Sequence, residues 1–274
     1  MTAAPAGLKL RCMSQLPYPL EFTHKFNLHK WLHLLVEDED LGSIARIYGV
    51  RRGELARVDR RYRENVGRLA ASLPRRADPP LERPVTILAL GDSITSDRES
   101  WARILARYWQ ADPRRRILDC AVSGDTSASL LERFNSTVAN QEFDWVVLFI
   151  GTNDCRQLDD GLPVVSPEEY RRNLEILTDR LQAAGKRIVL VTLPPADNAR
   201  FTAFFPESGN RYEAATLAAA NRLIRELSAR RKLALADLAA RLEALGGEAL
   251  EPDGLHLSSA GQLVLCRLLL DLLP

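Results

Sequence analysis

Ser93, Asp253 and His256 are the residues whose types and spacing could carry chemistry. A serine hydroxyl is a weak nucleophile until a base takes its proton, and imidazole suits that task near neutral pH. Of the four histidines, His24, His29 and His33 stand near the start of the chain. His256 is therefore the histidine base available to the remainder. Asp253 precedes it by three residues, within reach across one turn. A carboxylate there can accept the ring N–H, fix the tautomer and stabilise an imidazolium. The same residues also have ordinary structural uses. Ser93 can cap a helix, Asn153, Asp154 and Asp253-Gly254 suit turns, and His256 can cap or pack.

The elements that must position these groups are legible in the hydrophobic pattern. Residues 85–90 are unbroken β-former and small apolar residues, the pattern of a parallel strand buried on both faces. They run directly into Gly91-Asp92-Ser93. Gly91 permits a turn that a Cβ would forbid, so Ser93 is carried to the carboxyl edge of a sheet, where open α/β sheets bind ligands. Further strands are predicted over 117–122, 145–150, 187–193 and 233–236. Helices are predicted over 99–110, 126–138, 167–184, 211–230 and 258–273. The alternation predicts a parallel sheet with helices on both faces. Three strands end in polar clusters with glycine: Gly91-Asp92-Ser93, Ser123-Gly124-Asp125 and Gly151-Thr152-Asn153-Asp154. Parallel strands end on one edge, so these clusters converge.

Composition narrows the class. The 274 residues are 46% hydrophobic and 27% charged, as in a soluble globular protein. A net charge of +1 argues against a general polyanion binder. It hides an asymmetry: residues 1–84 hold 15 Lys/Arg against 10 Asp/Glu, and the remainder 22 against 26. No apolar signal region follows the start, and 263–273 is broken by Arg267 and Asp271, so no membrane span is expected. The cysteines, Cys12, Cys120, Cys155 and Cys266, lack metal-site spacing and read as free thiols of a cytoplasmic protein.

Two domains are expected: a helical N-terminal extension over 1–83 and an α/β domain over 84–274. The extension reads as helices at 21–35, 43–48 and 52–69, with Asp40 as a cap, a junction at Gly49-Val50 and a linker at 71–84. Ile44 to Val50 resembles both a helix-turn-helix and a LysM module. The pattern favours a helical hairpin packed on the α/β domain, or on a second subunit of a homo-oligomer. Nucleic-acid binding through 44–76 would draw on the arginine excess, although a lone unit needs a dimer to read two half-sites. A LysM role conflicts with the missing export signal. His29 and His33 have metal-compatible spacing, but no third ligand completes a set, and no metal is expected.

The four blocks Gly91-Asp92-Ser93, Gly124, Gly151-Thr152-Asn153-Asp154 and Asp253-Gly254-Leu255-His256 resemble, in order, those of the SGNH/GDSL hydrolase family. The resemblance runs from about residue 85 to the end. It implies a flavodoxin-like three-layer α/β/α sandwich with a five-stranded parallel sheet. It also implies a serine ester hydrolase that uses no cofactor, with Ser93, Asp253 and His256 catalytic. The oxyanion hole would combine the backbone N–H of Ser93, that of Gly124 and the side-chain amide of Asn153. Insertions at 156–166 and 196–210 are expected to shape the pocket. Asp92, Asp154, Arg156, Phe201, Phe204 and Phe205 are the candidate substrate contacts. Arg200 is a further candidate for an anionic or sugar group, and Cys155 is either a pocket residue or a small buried hydrophobe. The three Phe suggest an apolar acyl or aryl pocket, or a subunit contact. Short-chain acyl esters, lysophospholipids, acetylated sugars and thioesters are the small-molecule substrates in view. The alternatives are an acyltransferase on the same site and an esterase-linked DNA-binding regulator.

Overall fold

Ile87, Leu88, Ala89 and Leu90 are fully buried, as the unbroken apolar run requires of a strand covered on both faces. They lie in β1 (Val85–Gly91). Alongside it run β2 (Arg115–Asp119), β3 (Trp145–Phe149), β4 (Arg187–Val191) and β5 (Ala234–Ala236). All pairings are parallel, in the order β2-β1-β3-β4-β5, the flavodoxin-like arrangement. The computed structural model describes residues 19–27, 40–76, 81–158, 161 and 163–274.

The N-terminal helices are α1 (Leu20–Lys25), α2 (Leu41–Tyr48) and α3 (Arg52–Ser72). After β1 come α4 (Ser93–Ser96) and α5 (Trp101–Tyr108), then α6 (Ser127–Arg133) and α7 (Pro167–Ala183). The chain continues with α8 (Asn198–Phe204), α9 (Ala214–Arg231), α10 (Leu238–Leu242) and α11 (Ser259–Leu270). Helices α5 and α11 pack together in one layer, and α6, α7 and α9 pack together in the other. Helix α3 packs on α5, and its Val66 and Ala70 belong to the same apolar core as the sheet. Ile44, Ala45, Tyr48 and Leu55 form a second, small core between α2 and α3. Among the described residues, no helix is long and apolar enough to cross a membrane.

Local signals hold where the backbone decides. The Asp40 side chain accepts the Ser43 N–H at 3.0 Å, and Gly49 ends α2 at φ +66°, where a Cβ would be strained. Other expectations need correction. The second strand starts two residues early because Arg115 and Arg116 pair with Val85 and Thr86, while Cys120 and Val122 still donate to the β1 carbonyls of Ala89 and Gly91. The region 196–210 is not all loop. Asp197 caps α8 by accepting the Arg200 N–H. Arg211 and Tyr212 are not helical but pair antiparallel with Arg156 and Gln157, where Asn198 receives the Tyr212 N–H and donates to its carbonyl. Helix α1 ends at Lys25, Phe26 caps it, and Asn27 turns with φ +52°. The rest of the predicted 21–35 helix, with His29 and His33, lies outside the described residues.

Candidate active site

Three strand ends build the floor. At the end of β1, a Cβ on Gly91 would stand 2.3 Å from the Phe149 carbonyl oxygen, so only glycine lets β1 and β3 close together there. Asp92, not Ser93, caps the short α4: its Oδ1 accepts the Ile94 N–H at 3.0 Å. Ser93 is thereby left as the first helical residue, with a partly exposed side chain. After β2, Gly124 turns with φ +83° and stands exposed. Its neighbour Asp125 is held by Arg133 in a buried ion pair of 2.6 Å. After β3, Asn153 donates one amide N–H to the Asp125 carbonyl at 2.9 Å, which ties the third turn to the second. An amide nitrogen carries a second N–H, which remains to serve a ligand.

The fourth block arrives from the other end of the chain. Glu251 N–H donates to the His256 carbonyl at 2.8 Å, and Leu250 bridges Leu257, so residues 250–257 form a closed loop. Within it, Asp253 Oδ1 accepts the backbone N–H groups of Leu255 and His256, and Oδ2 lies 2.6 Å from His256 Nδ1. On the other side of the ring, Nε2 lies 2.8 Å from Ser93 Oγ. With the ring proton on Nδ1, Nε2 is free to accept from the serine hydroxyl. The geometry can therefore pass a proton from serine to imidazole with a carboxylate behind it.

Electrostatics support that chain. Burial opposes the Asp253 charge, but His256 and the two backbone donors prevail and hold its pKa down at about 2. Burial likewise favours neutral His256, yet Asp253, with smaller contributions from Asp97 and Asp92, raises it above the ordinary histidine value. Asp92 is pushed up to about 7 by burial, against the Ile94 hydrogen bond and the His256 charge.

The expected substrate contacts divide. Asp92 and Asp154 turn inward. Asp154 accepts the Ser127 backbone N–H through both carboxylate oxygens and the Ser127 hydroxyl through one, while Asn173 donates to the same hydroxyl. Burial raises Asp154 to about 6. Arg156 sits in the short pair with Tyr212. Arg200 is engaged by the carbonyls of Gly247, Leu250 and Glu251, and so staples the loop that bears His256. Phe201 is buried against Tyr212 and Phe205, whereas Phe204 is 37% exposed. Cys155 is buried, and burial pushes its thiol up to about 12.

Sequence reasoning predicted a helix at α1 but missed that it reaches His256. Phe26 stacks on the His256 ring with centroids 3.9 Å apart, and Phe22 meets the same ring edge-on at 5.9 Å. Beside them, Lys25 Nζ lies 2.6 Å from Glu99, 3.2 Å from Asp97 and 3.5 Å from Glu251. The Phe26 carbonyl accepts from Ser96 and Ser123, and Lys25 O accepts the Arg98 N–H. The i,i+4 spacing of Phe22 and Phe26 was legible as an apolar helix face, but nothing local said what it would cover.

A model of the GDSL-like lipase/acylhydrolase family matches residues 89–264. Esterase TesA of Pseudomonas aeruginosa is 28% identical over 187 residues, which is 65% of this chain and 82% of TesA. The thioesterase 1/protease 1/lysophospholipase L1 of Escherichia coli is 26% identical over 139 residues, 47% of this chain and 63% of that protein. The crystal structure of a lipase/acylhydrolase from Enterococcus faecalis aligns with a TM-score of 0.57 at 27% identity, covering 68% of this chain and 94% of that one.

Proposed function

The chain belongs to the GDSL-like lipase/acylhydrolase family and is a carboxylic ester hydrolase of that type; we propose that it works through an acyl-Ser93 intermediate, with His256 as base and acid and Asp253 behind it. The observation that carries this reading is the continuous chain Ser93 Oγ–His256 Nε2 at 2.8 Å and His256 Nδ1–Asp253 at 2.6 Å. Ser93 Oγ attacks the ester carbonyl as its proton passes to Nε2. The oxyanion is met by the backbone N–H groups of Ser93 and Gly124 and by the second N–H of the Asn153 amide. Imidazolium then protonates the leaving oxygen or sulfur, and the acyl group stays on Ser93. Water attacks the acyl carbonyl and gives a proton to His256; the acyl–Oγ bond then breaks, the carboxylic acid leaves, and His256 returns the proton to Ser93 Oγ.

The half-exposed phenylalanines beside His256 favour substrates with an apolar group: short-chain acyl esters, thioesters or lysophospholipid-like esters. Ser93→Ala tests the reading with p-nitrophenyl acetate and butyrate. Turnover is expected to vanish with the fold intact by circular dichroism, and unchanged turnover would dispose of it. Product partition with added alcohols distinguishes water from an alcohol as the acyl acceptor.

A further inference from the structure

The helix that precedes the matched family region ends at the reacting histidine. Phe22 lies 5.6 Å from Phe204 and 5.4 Å from Phe205, centroid to centroid, and these two lie 4.8 Å apart. The three rings form one patch built from α1 and from the end of α8. Phe204 is exposed, and Phe22 and Phe205 are half-buried, so the patch keeps apolar surface open beside His256. Buried Phe26 lies flat on the imidazole and holds its plane.

Position relative to Nε2 decides which part of an ester meets the patch. The leaving oxygen must come within hydrogen-bond distance of Nε2 to be protonated, while the carbonyl oxygen turns toward Gly124 and Asn153. Groups that wall the imidazole therefore wall the leaving group. Both halves of the wall are fixed. Helix α1 is anchored by Lys25 among Asp97, Glu99 and Glu251, by His24 on Asp59 at 3.0 Å, and by the Glu21 carbonyl, which accepts from Tyr62 Oη. Helix α8 is docked on the histidine loop, where the Asp197 N–H donates to the Gly254 carbonyl at 2.8 Å.

We propose that Phe22, Phe204 and Phe205 form the subsite for the leaving group, so that residues 20–27 make this enzyme prefer esters of aryl or extended apolar alcohols and thiols. The proposal rests on the hydrolase reading above and adds a direction to it. Aromatic contacts and apolar burial reward a phenyl group over a methyl group at this position.

The test follows hydrolysis by pH-stat for phenyl acetate, methyl acetate and phenyl hexanoate with the full chain. In Phe22→Ala the kcat/KM ratio of phenyl to methyl acetate is expected to fall about tenfold relative to the unsubstituted protein, mainly through KM. Intrinsic leaving-group reactivity cancels, because the same two esters are compared in each protein. The ratio of phenyl hexanoate to phenyl acetate should not move. Phe204→Ala, at an exposed position, should shift the leaving-group ratio the same way, and it decides alone if Phe22→Ala does not fold. An unchanged leaving-group ratio, or a change in the acyl ratio in its place, overturns the subsite. If Ser93→Ala is inactive while that ratio stays fixed, the subsite falls and the hydrolase stands. If Ser93→Ala remains active, the hydrolase reading itself falls.

Discussion

Asp253→Asn isolates the role of the carboxylate because it leaves the local fold its donors' partners. Oδ1 of Asp253 accepts two backbone N–H groups, at 2.9 and 3.0 Å, and an asparagine oxygen can keep both. The atom facing Nδ1 at 2.6 Å would become an NH2 group, a donor in place of an acceptor. His256 must then carry its proton on Nε2, where it can no longer take the proton of Ser93. The expected loss in kcat is about 10⁴, or roughly 5 kcal/mol of barrier. A second readout follows from charge. Asp253 is the main group that raises the His256 pKa, and His256 must be neutral to act as base. Activity is expected to fail as pH drops through a value above that of an ordinary histidine. In the variant this acid limb moves to lower pH. The assay is a kcat profile on p-nitrophenyl butyrate between pH 5 and 9, with a urea midpoint as control for folding. A variant that keeps kcat within tenfold, or whose acid limb does not move, refutes the reasoning.

Asn153→Ala removes one donor to the oxyanion and should lower kcat by about 10²–10³ with little change in KM, measured by steady-state kinetics; a loss under threefold would exclude Asn153 from the hole. Gly91→Ala would drive a Cβ to 2.3 Å from the Phe149 carbonyl, so the urea midpoint should fall by the equivalent of roughly 3 kcal/mol or the protein should fail to fold, and near-normal stability would contradict that close approach. Lys25→Met strands Asp97, Glu99 and Glu251 without their cation and should destabilise the protein by about 3–5 kcal/mol at pH 8. Burial already raises Asp97 to about 6 and lifts Glu251 above its ordinary value, so the folded variant takes up protons more readily than the unfolded chain. The deficit should therefore shrink as pH falls toward 5, and an equal deficit at pH 8 and pH 5 would count against the acidic cradle.

Much of the site could be read before any coordinates because its parts are local. A strand followed at once by Gly91, a small turn at Gly124 and an amide at Asn153 each lie within a few residues of a β-strand whose apolar pattern is unmistakable. Parallel pairing then brings their ends together without further information. Asp253 and His256 lie three apart, and their contact needs only one closed loop. The helix cap at Asp40 was legible for the same reason, since its bond spans three residues.

What the fold alone decided spans long separations. That Asp154 turns away to hold Ser127, 27 residues upstream, and that Arg200 grips carbonyls about 50 residues on, follows from which buried donors and acceptors lacked partners once the layers closed. Nor does any periodicity in residues 20–26 point to an imidazole at position 256. An apolar stripe specifies that it will be covered, not by what; the placement of Phe22 and Phe26 on His256 came from packing and from a buried lysine that enters the cradle of Asp97, Glu99 and Glu251.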